Sequence, residues 1–162
     1  MSRLNVDQIY TRTGTVSLSI REMPVFRVVM STNMTLTSTV ATTVEYDSAI
    51  FNSHPDWFDF STHRYTPQIA GYYQISYNVN ISGSSITSYY SLLVTQDGTV
   101  AQIRWVGSSG AVTLFRHSGS DLIYFNGTTD YVEHQVNYIG TSATLTAGDS
   151  TTYMTGFLVR PD

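Results

Sequence analysis

The sequence predicts an all-β domain, built as a sandwich or barrel of antiparallel strands. Three observations support this fold class: apolar and polar residues alternate with a period of two, no segment sustains the 3.6-residue period of a helix, and turn-forming dipeptides separate the alternating segments. With 162 residues, the chain has the length of one domain that can bury a sizeable core.

The first element along the chain is an N-terminal arm, residues 1–24, which precedes a domain formed by residues 25–162. The arm is mostly polar, and Leu4, Val6 and Ile9 are its apolar anchors. We expect these three side chains to dock the arm onto another protein. An extended arm of about 24 residues spans several tens of ångströms, which is enough to reach a neighbouring subunit.

The strands of the domain follow from the period-two segments. The clearest segment is 73–81, where Tyr and branched aliphatic residues occupy the odd positions, and Gln, Ser and Asn occupy the even ones. This alternation predicts a strand with one face in the core. Thr, Val, Tyr and Ile favour strands because their side chains pack well on a pleated surface. The other predicted strands are 40–46, 90–94, 101–105, 112–116, 122–125, 131–139 and 152–160.

Two dipeptides predict tight turns between these strands. Asp97-Gly98 lies between segments 90–94 and 101–105, and this arrangement is typical of a β-hairpin. Asn126-Gly127 marks a second turn before segment 131–139.

The composition excludes several classes of function. Charged residues make up only 12% of the chain, against about 25% in an average globular protein, so Thr, Ser, Asn, Gln and Tyr must supply the polar surface. Such a surface suits protein–protein contact. The net charge is −4 and no basic run occurs, which argues against binding to nucleic acid. The absence of cysteine excludes disulfides, thiolate zinc sites and cysteine nucleophiles.

The sequence contains no targeting or membrane signal that we recognise. The N-terminal residues lack the apolar region of a secretory signal peptide. No stretch approaches the roughly 18 apolar residues of a membrane span. We therefore expect a protein that is made in the cytoplasm and does not insert into a membrane.

Several short motifs occur in a fixed order between residues 25 and 160. Gly71-Tyr72-Tyr73-Gln74-Ile75-Ser76 fits the pattern G-x-Y-x-F-s, and Thr155-Gly156-Phe157-Leu158-Val159 fits a closing F-S-G-F-L-l. The remaining motifs are Phe26-Arg27-Val28, Val44-Glu45-Tyr46-Asp47 with Phe51-Asn52, Phe58-Asp59 with Thr62 and Tyr65-Thr66-Pro67, and Asp130-Tyr131-Val132. As an ordered set they resemble the C1q/TNF-like jelly roll. His63 and Thr129 depart from the pattern, because each stands where the family usually has glycine.

The resemblance implies an antiparallel jelly-roll β-sandwich that assembles as a homotrimer, with the inner sheets packed around a threefold axis. On that basis Tyr73, Tyr131 and Phe157 would lie in the protomer core or close to the axis.

The opening of the arm adds a second resemblance. Its sequence LNVDQIYTRTGT is similar to the openings of structural proteins from bacteriophages, those of marine and cyanobacterial hosts especially. This likeness implies a non-enzymatic component on the exterior of the virion. The protein would be a trimeric capsid decoration or cement protein, or a short head or tail fibre. Its partners would be other virion proteins of the capsid or tail.

An alternative function is that of an adhesin that recognises host-surface glycans. The segment around Asp56, Trp57 and Phe58 is the candidate ligand loop, because a sugar face stacks well on an exposed indole ring. The competing interpretation is that Trp57 and Phe58 fold back and cap the sandwich.

The sequence predicts no catalytic residue, cofactor or metal site. Asp47, Asp56 and Asp59 would allow a carboxylate pair for hydrolysis, but aspartates in such loops more often cap turns. The four histidines are His54, His63, His117 and His134, and none of them forms a close-spaced metal-binding pair. His134 alternates with Val132 and Val136, which predicts an inward orientation.

Overall fold

The computed structural model describes residues 23–95 and 100–162. In these residues the chain forms antiparallel strands and one short 3-10 turn, Pro55–Trp57, with no α-helix. The strands are β1 (Val25–Val29), β2 (Met34–Leu36), β3 (Thr42–Thr43), β4 (Ser48–Asn52), β5 (Phe58–Asp59), β6 (Arg64–Tyr65), β7 (Gly71–Thr95), β8 (Val100–Phe125), β9 (Val132–Ile139), β10 (Ser142–Leu145) and β11 (Tyr153–Pro161).

The first sheet runs in the order β4, β1, β11, the first half of β7 and the second half of β8. Val25 on β1 lies opposite Phe157 on β11, and Phe157 lies opposite Gln74 on β7. Gln74 in turn lies opposite Leu122 on β8. Strand β4 pairs with the other edge of β1, and a bulge interrupts this ladder between Arg27 and Val28.

The second sheet uses the other halves of the same two long strands. The second half of β7, residues 88–95, pairs with the first half of β8 on one side and with β9 on the other. β9 continues the sheet to β3 through Thr42 and Thr43, and to β6 through Tyr65. β5 pairs with β6 at the edge.

Strands β7 and β8 pass from one sheet to the other as a single long hairpin. The register between them shifts after Ser82 and again around Ile86, and Ser85 adopts a positive φ of 53° at this bend. Next to the bend, β10 pairs with residues 81–84 of β7 and with β2. Since the hairpin bends back on itself, the two sheets face each other as a sandwich.

Aromatic rings fill the space between the two sheets. Phe26 of the first sheet stacks on Tyr65 of the second, with ring centroids 4.1 Å apart. Tyr77 and His134 approach across the sandwich to 4.3 Å. The alternation predicted for segment 73–81 is confirmed, because the odd-numbered side chains are all buried in this core. These side chains are Tyr73, Ile75, Tyr77, Val79 and Ile81.

The prediction of one regular strand at 40–46 is wrong in part. Only Thr42 and Thr43 pair as strand β3. Val44 and Tyr46 are nevertheless fully buried, since the Val44 amide donates to the His134 carbonyl at 2.8 Å and fixes the segment against β9. The apolar alternation therefore predicted the burial of Val44 and Tyr46 correctly, whereas Val40 at its start is 49% exposed.

Two further differences concern the long hairpin. Segments 112–116 and 122–125 belong to one continuous strand, β8, because residues 118–120 also pair with β7. In segment 90–94 the apolar alternation of the sequence is Tyr90, Leu92 and Val94, but the core-facing residues are Ser91 and Leu93, preceded by Tyr89. These three core-facing residues are fully buried. The predicted turn at Asp97-Gly98 lies outside the described residues, whereas the strands on either side of it do pair.

The predicted arm lies almost entirely outside the described residues, and so do its anchors Leu4, Val6 and Ile9. Its last two residues already contact the domain. Met23 packs against the core, and the Pro24 carbonyl accepts a hydrogen bond from the Leu158 amide at 3.0 Å.

Candidate functional site

The outward side of the first sheet carries a continuous group of exposed apolar side chains, which we call the apolar face. It is formed by Val25, Tyr72, Leu122, Tyr124, Phe157 and Val159, whose exposed fractions lie between 40% and 50%. Val25 and Phe157 are neighbours in one row across the sheet, Leu122 lies in the same row beyond Gln74, and Tyr72 and Tyr124 occupy the next row. Because side chains of adjacent strands lie close together, these six form one surface rather than scattered residues.

The apolar face follows from the same alternation that builds the core. Tyr73 points inward, so its neighbour Tyr72 must point outward. The rings of Tyr72 and Tyr124 meet edge to face, with centroids 5.3 Å apart. The Tyr124 hydroxyl donates to the Asp162 carboxylate at 3.0 Å, and this hydrogen bond raises the pKa of Tyr124.

The other end of the same side of the sheet is polar. A hollow of about 310 Å³ lies there, with Asn78, Asn80, Arg116, Ser150 and Thr151 as its lining. Beside it, the Arg27 guanidinium lies 4.0 Å from the centre of the Tyr153 ring and donates to the Asp149 carbonyl at 2.5 Å. The outward side of the first sheet therefore changes from apolar to polar along the strands. Such a surface is typical of a protein–protein interface that excludes water at its apolar end and keeps water at its polar end.

The structure places the three residues predicted for the core or the trimer axis in different surroundings. Tyr73 is fully buried, and its hydroxyl donates to the Ile69 carbonyl at 2.9 Å. Tyr131 is half-buried, with the Arg64 guanidinium 4.0 Å above its ring. Phe157 lies on the apolar face and is 49% exposed.

The candidate ligand loop requires a correction. Trp57 and Phe58 are buried in the core and are only 8% and 3% exposed, while Asp56 beside them is exposed. The Trp57 ring packs against Tyr65, and His54 stacks on it from outside at 4.1 Å. The 3-10 turn rotates the indole inward to close this end of the sandwich, so no exposed ring remains there for a sugar. The capping interpretation is the correct one.

The aspartates of the loops bind the backbone and hydroxyls of nearby turns. Asp59 accepts hydrogen bonds from the Ser61 amide and hydroxyl and from the Thr62 hydroxyl, and these bonds lower the pKa of Asp59 to about 2. Asp47 accepts bonds from the Ser31 amide and hydroxyl. These are the contacts of turn-stabilising residues. Across residues 23–95 and 100–162, no three His, Asp or Glu side chains come together in a group that could hold a metal ion.

His134 lies in a buried polar cluster that the sequence indicates only through its inward position. Its Nδ1 is 2.7 Å from the Tyr46 hydroxyl, and its Nε2 is 2.6 Å from the Ser91 hydroxyl. Burial, together with the nearby His117, lowers the pKa of His134 to about 3. The imidazole is thus neutral and serves as a structural link between the turn at Tyr46 and the second sheet.

Comparison with known proteins identifies the fold. Neither a family model nor a curated protein sequence matches the chain. Among solved structures, the globular domain of zebrafish complement 1qA is 14% identical with a TM-score of 0.60, covering 86% of this chain and 99% of the other. Eiger TNF from S. frugiperda is 7% identical with a TM-score of 0.64, covering 86% and 93%. Murine APRIL is 10% identical with a TM-score of 0.65, covering 85% and 99%.

The chain therefore has the C1q/TNF-like jelly-roll fold, which confirms the predicted fold class. Identities of 7–14% establish the fold alone. In the part of the chain that the structure describes, no helix is both long and apolar enough to cross a membrane.

Proposed function

We propose that this protein is a non-enzymatic structural component of a bacteriophage particle. It forms a homotrimer on the exterior of the virion, as a capsid decoration or cement protein or as a short head or tail fibre. The N-terminal arm, through Leu4, Val6 and Ile9, attaches the trimer to a capsid or tail protein.

The apolar face is the observation that carries this proposal. Six apolar side chains, each about half exposed, lie together on adjacent strands of one sheet. A contiguous apolar surface of this kind is typical of a protein–protein contact. Burial of each side chain would contribute on the order of 1–2 kcal/mol, because only half of its surface remains to be covered. Packing of the first sheet around a threefold axis would bury all six at once.

Two features of the sequence support a place on a virion. The opening of the arm is similar to those of phage structural proteins, and the weakly charged surface suits extensive contact with protein neighbours. The glycan-binding alternative is not part of the proposal, because Trp57 and Phe58, its expected contact residues, are buried.

The mass of the purified full-length chain in solution tests the assembly. Light scattering should give about three times the 18.0 kDa of one chain. The double variant Leu122→Ser, Phe157→Ser should shift the mass toward one chain while the circular dichroism spectrum stays unchanged.

Val40→Ser with Ile139→Ser is the matched control. These two residues are 49% and 45% exposed but lie away from the apolar face, so the control should remain trimeric. A monomeric wild type, or a Leu122→Ser, Phe157→Ser variant that keeps the full trimer mass, would contradict the proposed interface.

A further inference from the structure

The hollow at the polar end of the first sheet is lined by one cation and by no acidic residue. Arg116 is exposed on β8 and lies directly opposite Asn80 on β7. Asn78, Ser150 and Thr151 complete the lining. Within residues 23–95 and 100–162 the one ion pair joins Arg64 to Glu133, so the Arg116 guanidinium has no carboxylate partner in that part of the chain. The lining therefore carries a single positive charge that is available to an anion.

The side chain of Asn80 is a second group in the hollow without a partner. Asn80 is only 7% exposed, and its Oδ1 atom is sealed from solvent without a hydrogen-bond donor. Its Nδ2 atom donates to no group in the described ranges but is not sealed, so this end of the amide faces the hollow. Buried amides without partners are destabilising and rare in native proteins. A polar group that is kept in this way suggests a ligand that completes it.

The loop between β10 and β11 accounts for the burial of Asn80 and fixes the shape of the hollow. The Thr146 amide of this loop donates to the Asn80 carbonyl at 2.9 Å, and the Asn80 amide donates to the Thr152 hydroxyl at 3.4 Å. Asn78 donates through Nδ2 to the Thr151 carbonyl. The lining is thus held in place by hydrogen bonds within the domain, and such preorganisation lowers the cost of ordering a site when a ligand binds.

The size and the chemistry of the hollow fit a sugar that carries an acid group. Its volume of about 310 Å³ equals that of roughly ten water molecules, which is more than a bare ion needs. A guanidinium presents its donors as a fork that matches the two oxygens of a carboxylate. The amides and hydroxyls beside Arg116 can donate to and accept from the hydroxyl groups of a sugar.

We propose that the hollow binds one acidic monosaccharide unit. Arg116 pairs with the carboxylate of the sugar, and Asn80 donates through Nδ2 to an oxygen beside it. Asn78 and Ser150 bind the remaining hydroxyl groups. This site differs from the loop at Trp57, where the indole ring is buried.

The hollow is separate from the apolar face, so the inference does not depend on the proposed function. Asn80 lies six residues along β7 from Gln74, which is the residue opposite Phe157. Six extended residues span about 20 Å.

Titration calorimetry of the full-length protein with D-glucuronate tests the site. We expect saturation with a Kd of about 1 mM, which is a modest affinity for a small ligand held by a few polar contacts. D-glucose lacks the carboxylate and acetate lacks the hydroxyl groups, so each should bind at least about tenfold more weakly. Absence of saturable glucuronate binding would overturn the proposal. Equally tight binding of acetate would also overturn it, because the hollow would then recognise a carboxylate and not a sugar.

Arg116→Gln removes the charge and keeps a polar side chain of similar length. It should weaken glucuronate binding by about tenfold or more, since a charge-assisted pair is lost, and leave the weak binding of glucose unchanged. Arg160→Gln is the matched control, because Arg160 is an exposed arginine on β11 outside the hollow. Equal losses in the two variants would show that glucuronate responds only to the overall charge of the protein.

Asn80→Leu separates a ligand-binding role from a structural one. Because the Asn80 amide has no partner in the domain, an apolar side chain of similar size should raise the urea midpoint of the ligand-free protein while it weakens glucuronate binding. Asn78→Leu should instead lower the midpoint, since Asn78 donates to the Thr151 carbonyl. A lower midpoint in Asn80→Leu would assign Asn80 to the stability of the fold and overturn its role in the site.

Two further titrations identify the source of the sugar and the effect of assembly. Methyl β-D-glucuronide is linked at its anomeric oxygen as in a glycan, so binding equal to that of glucuronate supports a glycan terminus as the ligand. Binding of free glucuronate alone supports a soluble sugar acid. The Leu122→Ser, Phe157→Ser variant should bind glucuronate as the wild type does. Binding in this variant only would overturn the proposal, because the hollow would then be closed between copies of the chain.

Discussion

At the scale of single residues, the buried polar cluster is the part of the core that responds to pH. Neutral imidazole has one donor and one acceptor nitrogen, and the Tyr46 and Ser91 hydroxyls can satisfy either arrangement. The groups that surround the cluster are Tyr77, Tyr89 and His117, and none of these three is a carboxylate. A proton on His134 would therefore create a buried charge without a carboxylate to compensate it.

Acidification should therefore destabilise the protein through His134. The imidazole has a pKa near 6.5 in the unfolded chain and about 3 in the folded one. Between these values the unfolded state binds more protons, so the free energy of unfolding falls as the pH decreases from about 6.5. The slope approaches about 1.4 kcal/mol per pH unit. Urea unfolding at a series of pH values from 7.5 to 5 measures this effect.

His134→Gln is the informative variant for that experiment, because glutamine keeps one donor and one acceptor but does not titrate. It should flatten the pH dependence in this range. His54→Gln, at a half-buried histidine outside the cluster, should leave the slope unchanged. A wild-type slope in the His134→Gln variant would show that other groups cause the acid sensitivity.

At the scale of elements, the sequence predicted those strands whose burial follows the period-two rule. Segment 73–81 has strict alternation, and each odd position lies in the core. The continuity of β8 was missed because Ser118-Gly119-Ser120 has the composition of a loop. Its strand geometry comes from pairing with residues 76–78 of β7, a contact with a distant part of the chain.

The same limit applies to the candidate site. The alternation of segment 73–81 predicts that Tyr72, next to the inward-facing Tyr73, points outward. Only the order of the strands in the sheet brings Val25, Leu122 and Phe157 into one row. At the 3-10 turn, the sequence Asp56-Trp57-Phe58 has no alternation of polar and apolar residues that would predict which side chains are buried. The inward orientation of Trp57 depends on the space next to Tyr65, which no local pattern encodes.

Truncation of Trp57 should expose its role in that turn. Trp57→Ala removes a ring that fills the end of the core, so it should lower the free energy of unfolding by about 3 kcal/mol. Phe60→Ala is the matched control at an exposed ring in contact with Phe58, and its cost should stay below about 1 kcal/mol. Denaturant unfolding compares the two. An equally small loss of unfolding free energy in both variants would show that Trp57 does not fill the core.

At the scale of the whole molecule, assembly and attachment are assigned to different parts of the chain. The apolar face belongs to the folded domain, whereas Leu4, Val6 and Ile9 belong to the arm. The proposed function therefore requires that trimer assembly can be abolished without loss of attachment to the particle, and attachment without loss of the trimer.

Replacement of Leu4, Val6 and Ile9 by Asn should release trimers from phage particles without dissociating them. Loss of three apolar anchors should lower incorporation by about tenfold or more, since each buried apolar side chain contributes on the order of 1.5–3 kcal/mol. The protein content of purified particles measures incorporation, and light scattering of the free variant measures its mass. Full incorporation of the variant would exclude docking through these residues.

The long β7–β8 hairpin affects how the protein unfolds. Each of its two strands is shared by both sheets, and β7 has hydrogen-bonded neighbours on both sides in each of them. Neither sheet can lose its central strand without opening the other. Heating should therefore give one sharp heat-capacity peak, with calorimetric and van't Hoff enthalpies in agreement. We therefore expect the domain to be either fully folded or fully unfolded, without a partly unfolded form that a protease could cleave.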